Sequence, residues 1–174
     1  RIYQLVNYPD MQNAHTLSGT ITTSDETPDD GLLLTEEILA WQWRITGPNG
    51  VSAEQSLPAS EDSTTLAQGV RITQSTIEVT PTPDVELSMV ETKGTDTLRL
   101  RWFTSEEEED QFVVRTLGIG TFGRDELQTY WIGTFATEGG KGVVIARLIP
   151  EPSAVSLLWS MLCWFGVTRF SKRC

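Results

Sequence analysis

The nine residues Ile38-Leu39-Ala40-Trp41-Gln42-Trp43-Arg44-Ile45-Thr46 constrain the fold more than any other segment. Trp41, Trp43 and Ile45 fall on one side of an extended chain, and Gln42, Arg44 and Thr46 on the other. A period of two with large apolar residues on one side describes a strand with one face in a core. Gly47-Pro48-Asn49-Gly50 then reads as a turn, and the chain from Val51 as its hairpin partner.

The same pattern recurs along the chain. Leu17–Thr23, Val70–Thr73, Thr76–Thr80, Val85–Val90, Thr97–Phe103, Phe112–Leu117, Tyr130–Ala136 and Val143–Leu148 are strand candidates. In Thr97–Phe103, Leu98, Leu100 and Trp102 alternate with Arg99 and Arg101. Lys93–Asp96 and Gly139–Gly142 read as turns. Gly118-Ile119-Gly120-Thr121-Phe122-Gly123 fits a dinucleotide fingerprint only loosely and lacks its strand–helix context, so it reads as a Gly-rich loop between strands. Thr35-Glu36-Glu37 reads as a short helical turn with Thr35 as N-cap. Regularly spaced strands with Gly, Pro and Asp turns point to an antiparallel all-β domain, a jelly-roll-like β-sandwich, over residues 1–149. No fixed-period repeat is visible, so a solenoid or propeller is not expected.

Charge narrows the partners. Residues 1–149 hold ten Lys and Arg against twenty-three Asp and Glu; residues 150–174 hold three basic residues and one acid. A body at −13 repels a phosphate backbone, and nucleic-acid binding is not expected. The two cysteines, Cys163 and Cys174, both lie in the last dozen residues, so the body has neither a disulfide framework nor a Cys-based metal site. The single histidine, His15, cannot build a His-based zinc site and belongs to no nucleophile motif. The chain opens Arg1-Ile2-Tyr3-Gln4-Leu5-Val6, without the apolar h-region of a secretory signal. A signal already removed and a fragment start both fit.

The body presents few groups for chemistry. Glu106-Glu107-Glu108-Glu109-Asp110 lacks the alternating spacing and Gly of a calcium loop and reads as a solvated run. Asp25, Glu26, Asp29 and Asp30 form a second such loop. Glu36 and Glu37 are adjacent and cannot flank one glycosidic bond. No catalytic constellation and no cofactor site is expected, so the chain reads as non-enzymatic. Trp41, Trp43 and Trp102 read as core. Exposed aromatics, Trp131 beside Tyr130 first among them, would instead make a secreted carbohydrate-binding module.

Composition changes at Pro150. Ile149-Pro150-Glu151-Pro152-Ser153 is followed by an apolar stretch whose helix ends are placed at Ala154 and Phe170; Arg169, Lys172 and Arg173 form a basic cluster at the end. The two prolines stop the last strand because neither donates to a ladder. The stretch makes a helix of roughly 25 Å, at the short edge of what spans a hydrocarbon core of about 30 Å. The basic cluster sets an N-out, C-in orientation.

Pro150-Glu151-Pro152, the single hydrophobic helix from Ala154, and the terminal Arg169, Lys172 and Arg173 resemble the PEP-CTERM sorting signal of Gram-negative bacteria. The resemblance covers residues 150–174. It implies recognition and processing by an exosortase, a membrane cysteine transpeptidase-like enzyme. It further implies export, passage through the inner membrane as a precursor held by the C-terminal helix, and a final place on the outer surface or in the extracellular matrix. Exopolysaccharide is the partner such clients are associated with.

Overall fold

The computed structural model describes residues 1–12, 14–48, 50, 52–57, 63–93, 96–106, 112–122, 126–135 and 141–150. They form two antiparallel sheets. The larger has eight strands in the order β3-β7-β8-β13-β1-β2-β4-β5: Asp30–Leu32, Arg71–Thr73, Thr76–Val79, Val143–Leu148, Ile2–Leu5, Thr16–Thr23, Ile38–Thr46 and Ser52–Leu57. The smaller has five in the order β12-β11-β10-β9-β6: Glu126–Phe135, Phe112–Phe122, Asp96–Glu106, Glu86–Lys93 and Ser63–Gln68.

The alternation read from sequence places the core. Trp41, Trp43 and Ile45 of β4 are buried, as are Leu100 and Trp102 of β10. They join Tyr3, Ile21, Ile77, Leu87, Met89 and Val114, drawn from both sheets, in one hydrophobic cluster. Each such side chain contributes roughly 1.5–3 kcal/mol on leaving water. A bulge near the start of β4 sets the phase: the pairing shifts from Thr22↔Ala40 to Thr23↔Ile38. Ile38 and Trp41 therefore both point inward, while Leu39 stays 57% exposed. The hairpin after β4 forms as expected, with Thr46 paired to Ser52. The Gly50 N–H closes its turn on the Gly47 carbonyl at 3.0 Å.

Three local readings are corrected. Gly118–Phe122 is not a loop: it is the second half of β11, paired to β10 from Leu100↔Gly118 to Thr97↔Thr121 and to β12 on its other side. A strand flanked on both sides satisfies its backbone fully, and this outweighs the weak strand propensity of glycine. The irregularity that Gly118 brings survives as a bulge against β12. Thr35 is not the N-cap of its 3-10 helix, Thr35–Glu37; Leu34 holds that position, and its N–H donates to the Glu37 carboxylate at 2.8 Å. The Thr35 hydroxyl instead accepts from the Ala67 N–H at 2.8 Å and donates to the Ala67 carbonyl at 3.3 Å. It covers the open edge of β6, where an unpaired strand backbone would otherwise be exposed. Finally, β1, β3 and β6 are strands that no sequence pattern marks; β3 begins at Asp30, within the second acidic loop.

The chain from β1 to β2 is held by Tyr8, whose hydroxyl donates to the Val144 carbonyl at 2.7 Å and whose ring meets Phe135 edge-on at 5.2 Å. Burial pushes the Tyr8 phenol above its ordinary value, and Arg147 pulls it part of the way back. A folded value above the unfolded one means that the fold favours the neutral phenol. That stability is present below about pH 10 and is lost as pH climbs through the raised value. Tyr8→Phe is expected to cost about 1 kcal/mol at pH 8, from the lost hydrogen bond. It also flattens the fall in stability between pH 9 and 11. Urea midpoints of both proteins across that range check it; parallel slopes would refute the assignment.

Candidate functional site

A groove crosses the outer face of the five-stranded sheet, and the register of three strands explains it. Thr64, Val90 and Arg99 form one cross-strand row of β6, β9 and β10; Leu66, Ser88 and Arg101 form the next; Gln68, Glu86 and Phe103 form a third. The middle strand carries the short side chains, Ser88 and Val90, with Leu66 on one flank and the long Arg99 and Arg101 on the other. Neighbouring strands lie only about 4.8 Å apart, so this difference in side-chain length leaves a trough. Its volume is about 300 Å³, at the lower end of the range for small-molecule sites.

The charged groups of the groove are unequal. Arg101 donates to the Glu86 carboxylate at 2.6 Å, and its guanidinium lies 4.2 Å from the centre of the Phe103 ring. Both members of this ion pair are mostly buried, at 29% and 22% side-chain exposure. Charge pairing from one side and a ring from the other hold Arg101 in place. Arg99, one row away, has no such partner: it makes no ion pair or side-chain hydrogen bond among the described residues, and its Nε–H, like that of Arg101, is out of water and meets no acceptor there. An unmatched N–H of this kind costs roughly 1–3 kcal/mol. With Arg99 and Arg101 set against Glu86, the groove carries a single surplus positive charge in a chain whose net charge is −11.

Among the described residues Glu86 is the one carboxylate lining the groove, and Arg101 already engages it. The two-carboxylate arrangement of a glycosidase is not assembled there. Hydroxyls from Thr64 and Ser88, a carboxylate oxygen and the Arg99 guanidinium suit recognition of a small polar anion.

The residues singled out from sequence fall elsewhere. Trp41, Trp43 and Trp102 are each 2% exposed and unable to stack on a sugar. The Trp131 and Tyr130 side chains lie outside the described residues. In the acidic stretch of residues 25–30, Asp29 pairs with Arg1 at 2.7 Å and Asp30 with Arg71 at 3.2 Å; these exposed pairs add little stability. His15 Nδ1 faces the Gln12 carbonyl at 3.0 Å. Glu106 closes β10; 107–110 lie outside the described residues. Pro150 is exposed just past β13. Glu151 and Pro152, Ala154 and Phe170, and the cluster Arg169, Lys172 and Arg173 all lie outside the described residues. Among the described residues no helix is long and apolar enough to cross a membrane, and no group of His, Cys, Asp or Glu is arranged to hold a metal ion.

The sequence reading noticed Arg99 and Arg101 only as the polar side of β10. An Arg-x-Arg-x-Phe face in an acidic chain was the available signal. Compared with family models, with curated proteins and with solved structures, the chain finds no match.

Proposed function

We propose that this chain is a non-enzymatic protein of the bacterial cell surface or exopolysaccharide matrix, exported and then cut near Pro150-Glu151-Pro152 by an exosortase-type membrane enzyme. On this reading the folded body is the cargo, and residues 150–174 are a detachable address. Ala154 to Phe170 form a hydrophobic helix that holds the precursor in the inner membrane, with Arg169, Lys172 and Arg173 on the cytoplasmic side. After cutting, the body reaches the outer surface or the matrix.

One observation carries the reading: Pro150-Glu151-Pro152, an apolar stretch from Ala154 to Phe170 and the basic Arg169, Lys172 and Arg173 come directly after the last strand, which exits through Ile149, 41% exposed, to an exposed Pro150. The finer fold reading is a jelly-roll-like sandwich. It is supported by a chain that passes between the sheets at β5 to β6, β6 to β7, β8 to β9 and β12 to β13.

Intact-mass measurement tests this, on protein expressed with a secretory signal in a Gram-negative host that carries an exosortase. The expected product lacks the residues after Pro152, and Glu151→Ala in the motif leaves the precursor uncut. Full-length protein retained in the inner membrane of such a host would make the helix a permanent anchor instead.

A further inference from the structure

We propose that the groove over β6, β9 and β10 binds a sugar acid, with the carboxylate on Arg99 and the ring hydroxyls on Thr64, Ser88 and Glu86. The inference concerns the folded body alone and stands whether or not the tail directs export.

Three observations lead to it. The first is the Arg99 guanidinium, which lines the groove and, unlike Arg101, makes no ion pair or side-chain hydrogen bond among the described residues. A ligand oxygen would supply the acceptor and the counter-charge that its exposed donors lack. A guanidinium matches the planar carboxylate in particular.

The second is the charge. Glu86 neutralises Arg101, so a single positive charge remains. It suits one carboxylate. A doubly charged phosphate would face the Glu86 carboxylate and the acidic body with its second charge uncompensated. The same repulsion disfavours a ligand with many charges and points to one sugar acid among neutral sugars.

The third is the rest of the lining. Threonine and serine hydroxyls can each donate to or accept from a ring hydroxyl, and the Glu86 carboxylate accepts from one. Val90 and Leu66 offer apolar patches to a sugar's C–H face. An acidic peptide is the competing anion, and peptides commonly bind by adding a strand to a sheet edge. At the β6 edge beside this groove, the Thr35 hydroxyl already occupies both the N–H and the carbonyl of Ala67. That route is obstructed, and a compact polyhydroxylated ring fits the trough better.

Calorimetric titration of the full chain in mild detergent tests the inference. The ligands are methyl glucuronoside, its neutral methyl ester, a trisaccharide carrying one glucuronate, inorganic phosphate and triglutamate. The acid is expected to bind at least tenfold more tightly than its ester, phosphate or triglutamate. Arg99→Gln should weaken the acid at least tenfold and leave the ester unchanged. Arg71→Gln, the same charge change on the exposed β7, should have no effect. Ser88→Leu fills the trough without altering charge and should abolish binding; it serves as the independent variant should Arg99→Gln fold poorly. Both the free sugar acid and the polymer present the same chemistry. Tighter binding of the trisaccharide than of the monosaccharide assigns the groove to a polymer, and equal binding to the free acid. Equal binding of acid and ester, tighter binding of phosphate or triglutamate, or no loss with both variants would overturn the proposal, as would no heat from either glucuronate ligand at 10-fold excess over millimolar protein.

Discussion

Gly19→Ala unfolds this protein at a temperature about 6–20 °C lower than the native chain. Gly19 lies in β2 directly opposite Trp43. Its φ is +145°, a backbone conformation in which an L side chain is strained. Space is the larger problem. A Cβ at this position would collide with the Gln42 carbonyl oxygen and stand 2.8 Å from the Trp43 Cα, both backbone atoms of the paired strand. Neither can turn aside as a flexible side chain would. Relief requires β2 and β4 to part where Trp41, Trp43 and Ile21 pack, in the densest part of the core. Backbone strain of roughly 1–3 kcal/mol and forced repacking of similar size give a loss of about 3–5 kcal/mol. At about 2–4 °C per kcal/mol for a chain of this size, that is the stated shift.

Gly50→Ala separates the two causes. Gly50 also has a positive φ, +78°, but its added Cβ would meet nothing within 4 Å. Only the conformational cost applies there, about 1 kcal/mol. Thermal unfolding followed by circular dichroism compares the two variants. Equal shifts would mean that the close approach of β2 to β4 is not what requires glycine at position 19.

How much of this was legible in the sequence depends on the side chains each strand carries. β4 and β10 announce themselves because Trp41, Trp43 and Ile45 in one, and Leu98, Leu100 and Trp102 in the other, alternate with polar residues. β6, Ser-Thr-Thr-Leu-Ala-Gln, does not: its one large apolar residue, Leu66, is 41% exposed, and Thr65 and Ala67 face the other way. β1 is similarly obscure, since its Ile2 is 48% exposed and only Tyr3 and Leu5 point inward over four residues. The second half of β11 looks like a loop in sequence because its glycines carry no strand signal, and only the pairing with β10 and β12 on its two sides makes it a strand. The groove was out of reach for a related reason. Its trough exists because Ser88 and Val90 stand between Thr64 and Leu66 on one strand and Arg99 and Arg101 on another. That juxtaposition is a matter of register between strands up to 35 residues apart, from Thr64 to Arg99, and no local pattern records it.

Trp41→Ala is the second large loss, about 3–5 kcal/mol, as expected when a buried indole is removed from a well-packed core. Trp43→Ala should cost a similar amount, for both rings are 2% exposed. The conservative variants tell the two apart. Trp41 Nε1 donates to the Thr65 hydroxyl at 2.8 Å, a side-chain bond from β4 in one sheet to β6 in the other. Trp43 Nε1 has no partner among the described residues. Phenylalanine at 41 thus removes a formed hydrogen bond and strands the Thr65 hydroxyl, while phenylalanine at 43 removes a donor that was unmatched already. Trp41→Phe is therefore expected to destabilise by about 1–2 kcal/mol more than Trp43→Phe in urea unfolding. A Trp41→Phe/Thr65→Val cycle should return a coupling near 1 kcal/mol. The same bond reaches the groove, because Thr65 is fastened inward while its neighbours Thr64 and Leu66 form the groove's β6 wall. Loosening that fastening should weaken sugar-acid binding in Trp41→Phe and spare it in Trp43→Phe. If both variants lose stability and affinity equally, the indole matters for its bulk alone and β6 is held by its pairing with β9.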